Sequence, residues 1–348
     1  MTDTNNDASA MFFLGAGASR AFGYPTTIEF LDLLKRKVHG PENDMLQFLT
    51  FTPGIADIEQ VLSILDQVLE NDNPLVKYLK HNQIKVPIIG RPAVSWSEFT
   101  DIAEVLRRQV REELFKTYGF EMEKGDPIKR RFETIFGRVH SGNQTRIHVF
   151  TTNYDSIIEK SLVHSDSFEV VDGFRERQHD TAIWEPAIFD TIQSKNIRIN
   201  LYKVHGSLSW RTDRSGNIVR VNTEEKITDS KQFLDNILLY PASKIAPVKE
   251  PYLTLHSHLV KKMLTVHDCV VIGFSFRDPY LNAVFVNYLQ RDSTNHLHIF
   301  SPKDEECLQH LFEAKDIPDR FRQQINSRAV GFEAPDIEGV LYSIMTRD

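Results

Sequence analysis

A four-residue apolar run, Met11 to Leu14, ends on Gly15-Ala16-Gly17-Ala18-Ser19. A short apolar run that stops at glycine reads as a strand buried on both faces and feeding a tight turn. Paired glycines let the backbone turn sharply and approach a pyrophosphate, which amides at a helix start then hold. After Gly23-Tyr24-Pro25, the span Thr26 to Val38 carries Ile28, Leu31, Leu34 and Val38 at helical spacing. Thr26 or Thr27 can cap that helix, with Glu29 in its first turn. A full dinucleotide fingerprint needs a third glycine where this chain has Arg20, and an acidic residue after a second strand. Only Glu29 and Asp32 are available there, on a helix, so a dehydrogenase signature is absent.

The next hundred residues change character. Ile58 to Leu69 has an amphipathic helical period, a polar, proline-punctuated segment runs from Asn71 to Pro92, and Ser95-Trp96-Ser97-Glu98 opens a helix reaching Tyr118. Asp126-Pro127 starts a third helix. The span 40–145 therefore reads as a helical insertion, between a core made of 11–39 and 146–348. Residues 1–10 read as a disordered, polar N-terminus. From 146 onward strands and helices alternate: strands at 146–151, 168–171, 198–204, 236–240, 268–273, 296–300 and 328–332, and helices at 154–163, 256–264, 279–290 and 304–313. Trp210 to Val221 reads as a hairpin turning at Arg214-Ser215-Gly216-Asn217. The alternation predicts an α/β fold, a doubly wound, mostly parallel sheet.

Composition narrows the function classes. The net charge of −7 over 348 residues argues against global attraction to nucleic acid. Two cysteines, Cys269 and Cys307, are too few for a disulfide framework or a four-cysteine zinc site. The longest apolar runs, Val270 to Phe276 and Ile147 to Phe150, are too short to span a bilayer. The first residues lack a basic and then apolar leader, so a cytoplasmic location is expected. His256 and His258 have the wrong helical spacing for two ligands on one face. His296 and His298 share a strand face but lack an evident third ligand.

Three further motifs lie at expected strand ends. Thr151-Thr152-Asn153-Tyr154-Asp155 follows one strand, and ligands bind at the carboxyl edge of parallel sheets. Asn153 can hold a ribose hydroxyl or orient a water, and Asp155 can support that loop; capping of the following helix is the other role open to Thr152 or Asn153. Lys203-Val204-His205-Gly206-Ser207 follows a second strand, and Gly273-Phe274-Ser275-Phe276 a third. Asp278, before Pro279, fits a helix cap.

In this order the four motifs resemble the sirtuin (SIR2) superfamily. Gly15 to Ser19 with Gly23-Tyr24-Pro25 is similar to its first loop, Thr151, Asn153 and Asp155 to its Thr-x-Asn-x-Asp element, His205-Gly206 to its catalytic histidine, and Gly273 to Phe276 to its Gly-Thr-Ser-Leu loop. The resemblance implies a Rossmann-like core and an enzyme that breaks the nicotinamide–ribose bond of NAD. It implies His205 as catalytic base, Asn153 positioning ribose or water, and Asp155 supporting it. Dinucleotide contacts would come from Gly15, Ala16, Gly17, Ser19, Pro25, Thr152, Gly273 and Ser275. Such cleavage passes through an oxocarbenium-like transition state and expels a neutral pyridine, so a base titrating near ~6.5 suits it and no metal is required.

The chain departs from the deacylases. Thr26-Thr27-Ile28 stands where the family has Asp-Phe-Arg, a hairpin stands where those enzymes carry a four-cysteine zinc module, and the Phe-Gly-Glu segment of the acyl-lysine groove is missing. The resemblance is closest to the divergent SIR2-like domains of bacterial anti-phage systems, which are NAD hydrolases. It implies NAD as substrate, a homo-oligomer, and a regulatory or ATPase partner protein, with no membrane and no direct nucleic-acid contact. A deacylase, an ADP-ribosyltransferase and a non-catalytic NAD or ADP-ribose sensor are the alternatives.

Overall fold

The computed structural model describes residues 7–52, 55, 57–70, 73–88, 90, 92–119, 125–138, 145–162, 165–176, 181–191, 195–221, 233–238, 248–313, 318–334 and 336–345. Strand β1 (Asp7–Leu14) shows why a sheet forms around it. Successive side chains of a strand point to opposite faces. Phe12 meets Phe136 of helix α7 (Gly125–Arg138) edge-on at 5.3 Å. Phe13 meets Phe285 of α10 (Pro279–Arg291) at 5.1 Å. A strand apolar on both faces needs helices on both faces, which is the doubly wound arrangement. Each fully buried phenylalanine contributes about 1.5–3 kcal/mol relative to exposure.

The main sheet has seven parallel strands in the order β12-β11-β10-β1-β2-β6-β3. The others are β2 (Thr145–Thr151), β3 (Phe168–Val171), β6 (Ile197–Lys203), β10 (Asp268–Ile272), β11 (His296–Phe300) and β12 (Ile325–Arg328). Between β3 and β10 the chain builds a second, antiparallel sheet in the order β4-β5-β8-β7-β9. It comprises β4 (Phe174–Glu176), β5 (Thr181–Trp184), β7 (Gly206–Asp213), β8 (Ile218–Val221) and β9 (Phe233–Leu238). The expected hairpin is its β7–β8 pair, with Gly216 at φ +82° in the turn. Helices α8 (Ile157–Leu162), α9 (Tyr252–Met263), α11 (Asp304–Phe312) and α12 (Asp336–Met345) also belong to this unit, as does α1 (Ala16–Arg20).

A second compact unit, spanning 25–120 with 240–242, is helical. It contains α2 (Thr27–Lys37), α3 (Pro41–Phe51), α4 (Ile58–Leu69), α5 (Pro74–His81) and α6 (Trp96–Tyr118). Thr26 with Glu29 and Asp57 with Gln60 form reciprocal caps at the starts of α2 and α4. Ser95 caps α6, whose Phe99, Ala103, Leu106, Val110 and Leu114 make one buried stripe.

The expected insertion at 40–145 overlaps this unit without coinciding with it: α2 belongs with the helices, and α7 with the main sheet through Phe136. Three local expectations are corrected. Residues 7–10 of the expected disordered tail 1–10 are strand, because the ladders to β10 and β2 pair their backbone; 1–6 lie outside the described residues. The segment 71–92 contains α5, because Pro74, which reads as punctuation, is the first residue of a helix capped by Asn73. The last strand is Ile325–Arg328, shifted from 328–332 by its register with β11. Among the described residues, no helix is long and apolar enough to cross a membrane.

Candidate active site at the carboxyl edge of the sheet

Parallel pairing sets the ends of four neighbouring strands level. Leu14 pairs with Ile272 on one side and Thr151 on the other, and Thr151 pairs with Lys203. The four motif loops therefore leave β10, β1, β2 and β6 at the same height. β1 stands between β10 and β2, with the strands that follow it divided between its two sides, and ligands of open α/β sheets bind at the carboxyl edge of such a switch point.

The first and fourth loops are locked against each other. Gly15 N donates to Ile272 O at 3.0 Å and Gly17 N to Gly273 O at 2.9 Å. A Cβ on Gly15 would lie 2.5 Å from Phe274 Cα, and one on Gly273 would lie 2.3 Å from Ala18 N. Gly273 also holds φ +64°. The glycines thus allow backbone-to-backbone contact between loops. The amides of Gly15 and Gly17, read from sequence as part of a phosphate cradle, are already engaged by the β10 loop. Further along that loop the buried Phe276 sits at φ +54°, a strained conformation for a bulky residue, with its carbonyl accepting from Asn282 Nδ2.

Asn153, Ser19 and Asp155 form one hydrogen-bonded cluster. Asn153 Nδ2 donates to Gly15 O at 3.0 Å and to Ser19 Oγ at 2.9 Å, and Ser19 Oγ donates to Asp155 Oδ2 at 2.8 Å. Asp155 Oδ1 accepts from Ile157 N at the start of α8, so the helix-cap role falls to Asp155. Asn153 Oδ1 is buried and has no hydrogen-bond partner among the described residues. A buried acceptor without a donor costs about 1–3 kcal/mol. Leu14, Ser19, Thr151, Asn153, Asp155, Glu159 and Lys203 line a cavity here. Lys203, 1 % exposed, donates to Asp155 O and, at 3.1 Å, to Glu159 Oε1. Burial pushes the Glu159 carboxyl up, against the opposing pull of Lys203. Burial, and then the Asp155 charge, push the Tyr24 phenol up to about 12.

His205 belongs to a neighbouring cluster. It is 2 % exposed, and its Nε2 lies 3.0 Å from Asp278 Oδ2. Burial raises Asp278, but the His205 hydrogen bond and charge and the amides of Leu281 and Tyr280 outweigh it and hold the carboxyl below its ordinary range. His256 Nε2 lies 3.0 Å from Val204 O. Burial, and then the charge of His205, push His256 down to about 4, so its ring is neutral at neutral pH and its Nε2–H donates to that carbonyl. The His205 loop is tied to the Asn153 loop by Val204 N to Thr151 O, Leu208 N to Tyr154 O and Ser207 Oγ to Tyr154 O.

Of the other expected site residues, Thr152 is buried and donates its amide to Leu14 O. Ala16 opens α1. Ser275 is exposed, and its carbonyl accepts from His310 Nδ1. Pro25 lies in the helical unit, where its carbonyl accepts from Tyr118 Oη. Sequence reasoning gave no role to Lys203, Glu159 or Tyr24, weighed His256 only as a metal ligand, and saw Asp278 only as a cap. Lys203, the last residue of the strand that precedes His205, was the one available signal. Among the described residues, no group of three or more His, Cys, Asp or Glu is placed to hold a metal.

The SIR2-like domain family matches residues 147–325, more than half of the chain, and the chain belongs to that family. No curated protein matches its sequence. Among solved structures it is similar to a Sir2 homologue–NAD complex, at 14% identity over 97% of this chain and 87% of that one, with a TM-score of 0.43. It is also similar to a Sir2 homologue mutant in complex with ADP ribose, at 12% identity over 97% and 90%, with a TM-score of 0.44.

Proposed function

We propose that the chain hydrolyses NAD at its nicotinamide–ribose bond, releasing nicotinamide and ADP-ribose, as the NAD-depleting effector of a bacterial anti-phage system. The observation that carries this reading is Asn153. Its amide nitrogen is committed to Gly15 O and Ser19 Oγ, while its oxygen is buried and lacks a donor among the described residues. A ribose hydroxyl or a water supplies that donor. Membership of the SIR2-like family and complexes of similar folds with NAD and ADP ribose support NAD as the source of the ribose.

In the reaction the ribosyl carbon loses nicotinamide and becomes oxocarbenium-like. The bond's electron pair leaves with the neutral pyridine, so no acid is needed. A water held at Asn153 attacks, and its proton passes to His205. Asp155, fixed by Ser19 and α8, holds the Asn153 loop in register.

The test is incubation of the protein with NAD beside its His205→Ala variant, following nicotinamide and ADP-ribose by chromatography. Both products from wild type only are expected. Equal rates would remove His205 as the base. Label passing from NAD to a macromolecule without free ADP-ribose would make the enzyme a transferase.

A further inference from the structure

We propose that Asp278 is the positioning residue of the base, holding His205 in the tautomer whose Nδ1 receives the proton. This rests on the reading of His205 as the base. The two oxygens of Asp278 have separate tasks. Oδ1 accepts from Tyr280 N at 2.8 Å and Leu281 N at 3.0 Å, which anchors the carboxylate to the first turn of the 13-residue α10. Oδ2 faces His205 Nε2 at 3.0 Å. A carboxylate accepts only, so Nε2 carries the hydrogen and the ring's lone pair stands on Nδ1.

The surroundings favour the same assignment. Asp278 is 5 % exposed, so its orientation is set by the protein and not by water. It lies two residues beyond Phe276, whose left-handed backbone turns the loop toward α10. The second imidazole beside His205 is His256, whose donor is committed to Val204 O, with the ring of Tyr280 5.1 Å from its own. Of the two histidines, only His205 has a carboxylate partner. His205 is therefore the one whose ring orientation a carboxylate sets, and His256 braces the main chain of the residue before it.

The step balances without another reactant. The water oxygen uses one electron pair to bond the ribosyl carbon, the carbon–nitrogen bond breaks with its pair going to nicotinamide, and the water proton ends on His205 Nδ1. Asp278 stays ionised throughout and faces the imidazolium, as an orienting carboxylate does in other imidazole-base enzymes.

Asp278→Asn tests this directly. Asparagine keeps Oδ1 for Tyr280 and Leu281 but turns Oδ2 into a donor, which forces the His205 Nε2 to accept. We expect kcat for NAD to fall on the order of 10²–10⁴-fold with KM within about 3-fold. Combined with His205→Ala, it should add no further loss, because it acts through that ring. Asp278→Glu should restore part of the rate. Wild-type kcat in Asp278→Asn, a change in KM alone, or losses that multiply with those of His205→Ala would each overturn the proposal. Imidazole 15N spectra of His205 decide the pairing separately: protonated Nε2 in wild type and protonated Nδ1 in Asp278→Asn are expected, and an unchanged tautomer overturns it. No nicotinamide from wild type would sink the hydrolase reading, while these spectra still test the pair.

Discussion

Gly273→Ala tests the idea that loop-to-loop backbone contact builds the site. Two costs add. Alanine at φ +64° is in the left-handed region, at about 1–2 kcal/mol. The new Cβ would stand 2.3 Å from Ala18 N and 2.5 Å from Gly17 C, both backbone atoms, so the loops must separate. Separation breaks the 2.9 Å bond from Gly17 N to Gly273 O and leaves buried polar groups unpaired, at about 1–3 kcal/mol more. The sum is about 2–5 kcal/mol, or a fall in Tm of about 4–20 °C at 2–4 °C per kcal/mol. Gly216→Ala is the control. Its φ is +82°, yet nothing lies within 4 Å of the added carbon, so only the backbone cost of about 1–2 kcal/mol applies. Thermal unfolding followed by circular dichroism reads both. A Gly273→Ala protein no less stable than Gly216→Ala would refute the contact as the reason for glycine.

Two electrostatic predictions accompany it. His256 titrates at about 4 when folded and near ~6.5 when unfolded, so the unfolded chain binds more protons between these values. Its contribution is complete above pH ~6.5 and is lost toward pH 4, about 3 kcal/mol in all; His256→Gln, which keeps an N–H for Val204 O, should flatten that slope in urea midpoints taken at pH 7.5 and 4.5. An unchanged slope would place the titration elsewhere. Lys203→Met removes the cation facing Glu159, whose carboxyl is already pushed up by burial. The folded state then binds the extra proton, so the deficit grows as pH rises, reaching about 2–3 kcal/mol at neutral pH. A deficit equal at pH 5 and 7.5 would contradict this.

Local signals were readable where they repeat over a few residues. The Thr26–Glu29 cap, the α4 and α6 stripes, the turn at Gly216 and the buried strands at β1 and β10 all follow from nearest neighbours along the chain. Helix α5 escaped because its first residue, Pro74, reads equally as a break and as a helix start. The size of the antiparallel sheet escaped because its strands are short and pair across 174–238. The motifs, taken in order, pointed to Ser19, Asn153, Asp155 and His205, but not to Lys203, Glu159 or the pairing with Asp278. Asn153 reaches Ser19 across 134 positions, and His205 reaches Asp278 across 73. The amino-acid order fixes propensity, periodicity and capping, which are short-range. Strand order and register decide which loops meet, and only that meeting leaves Asn153 Oδ1 without a donor among the described residues and gives His205 its carboxylate.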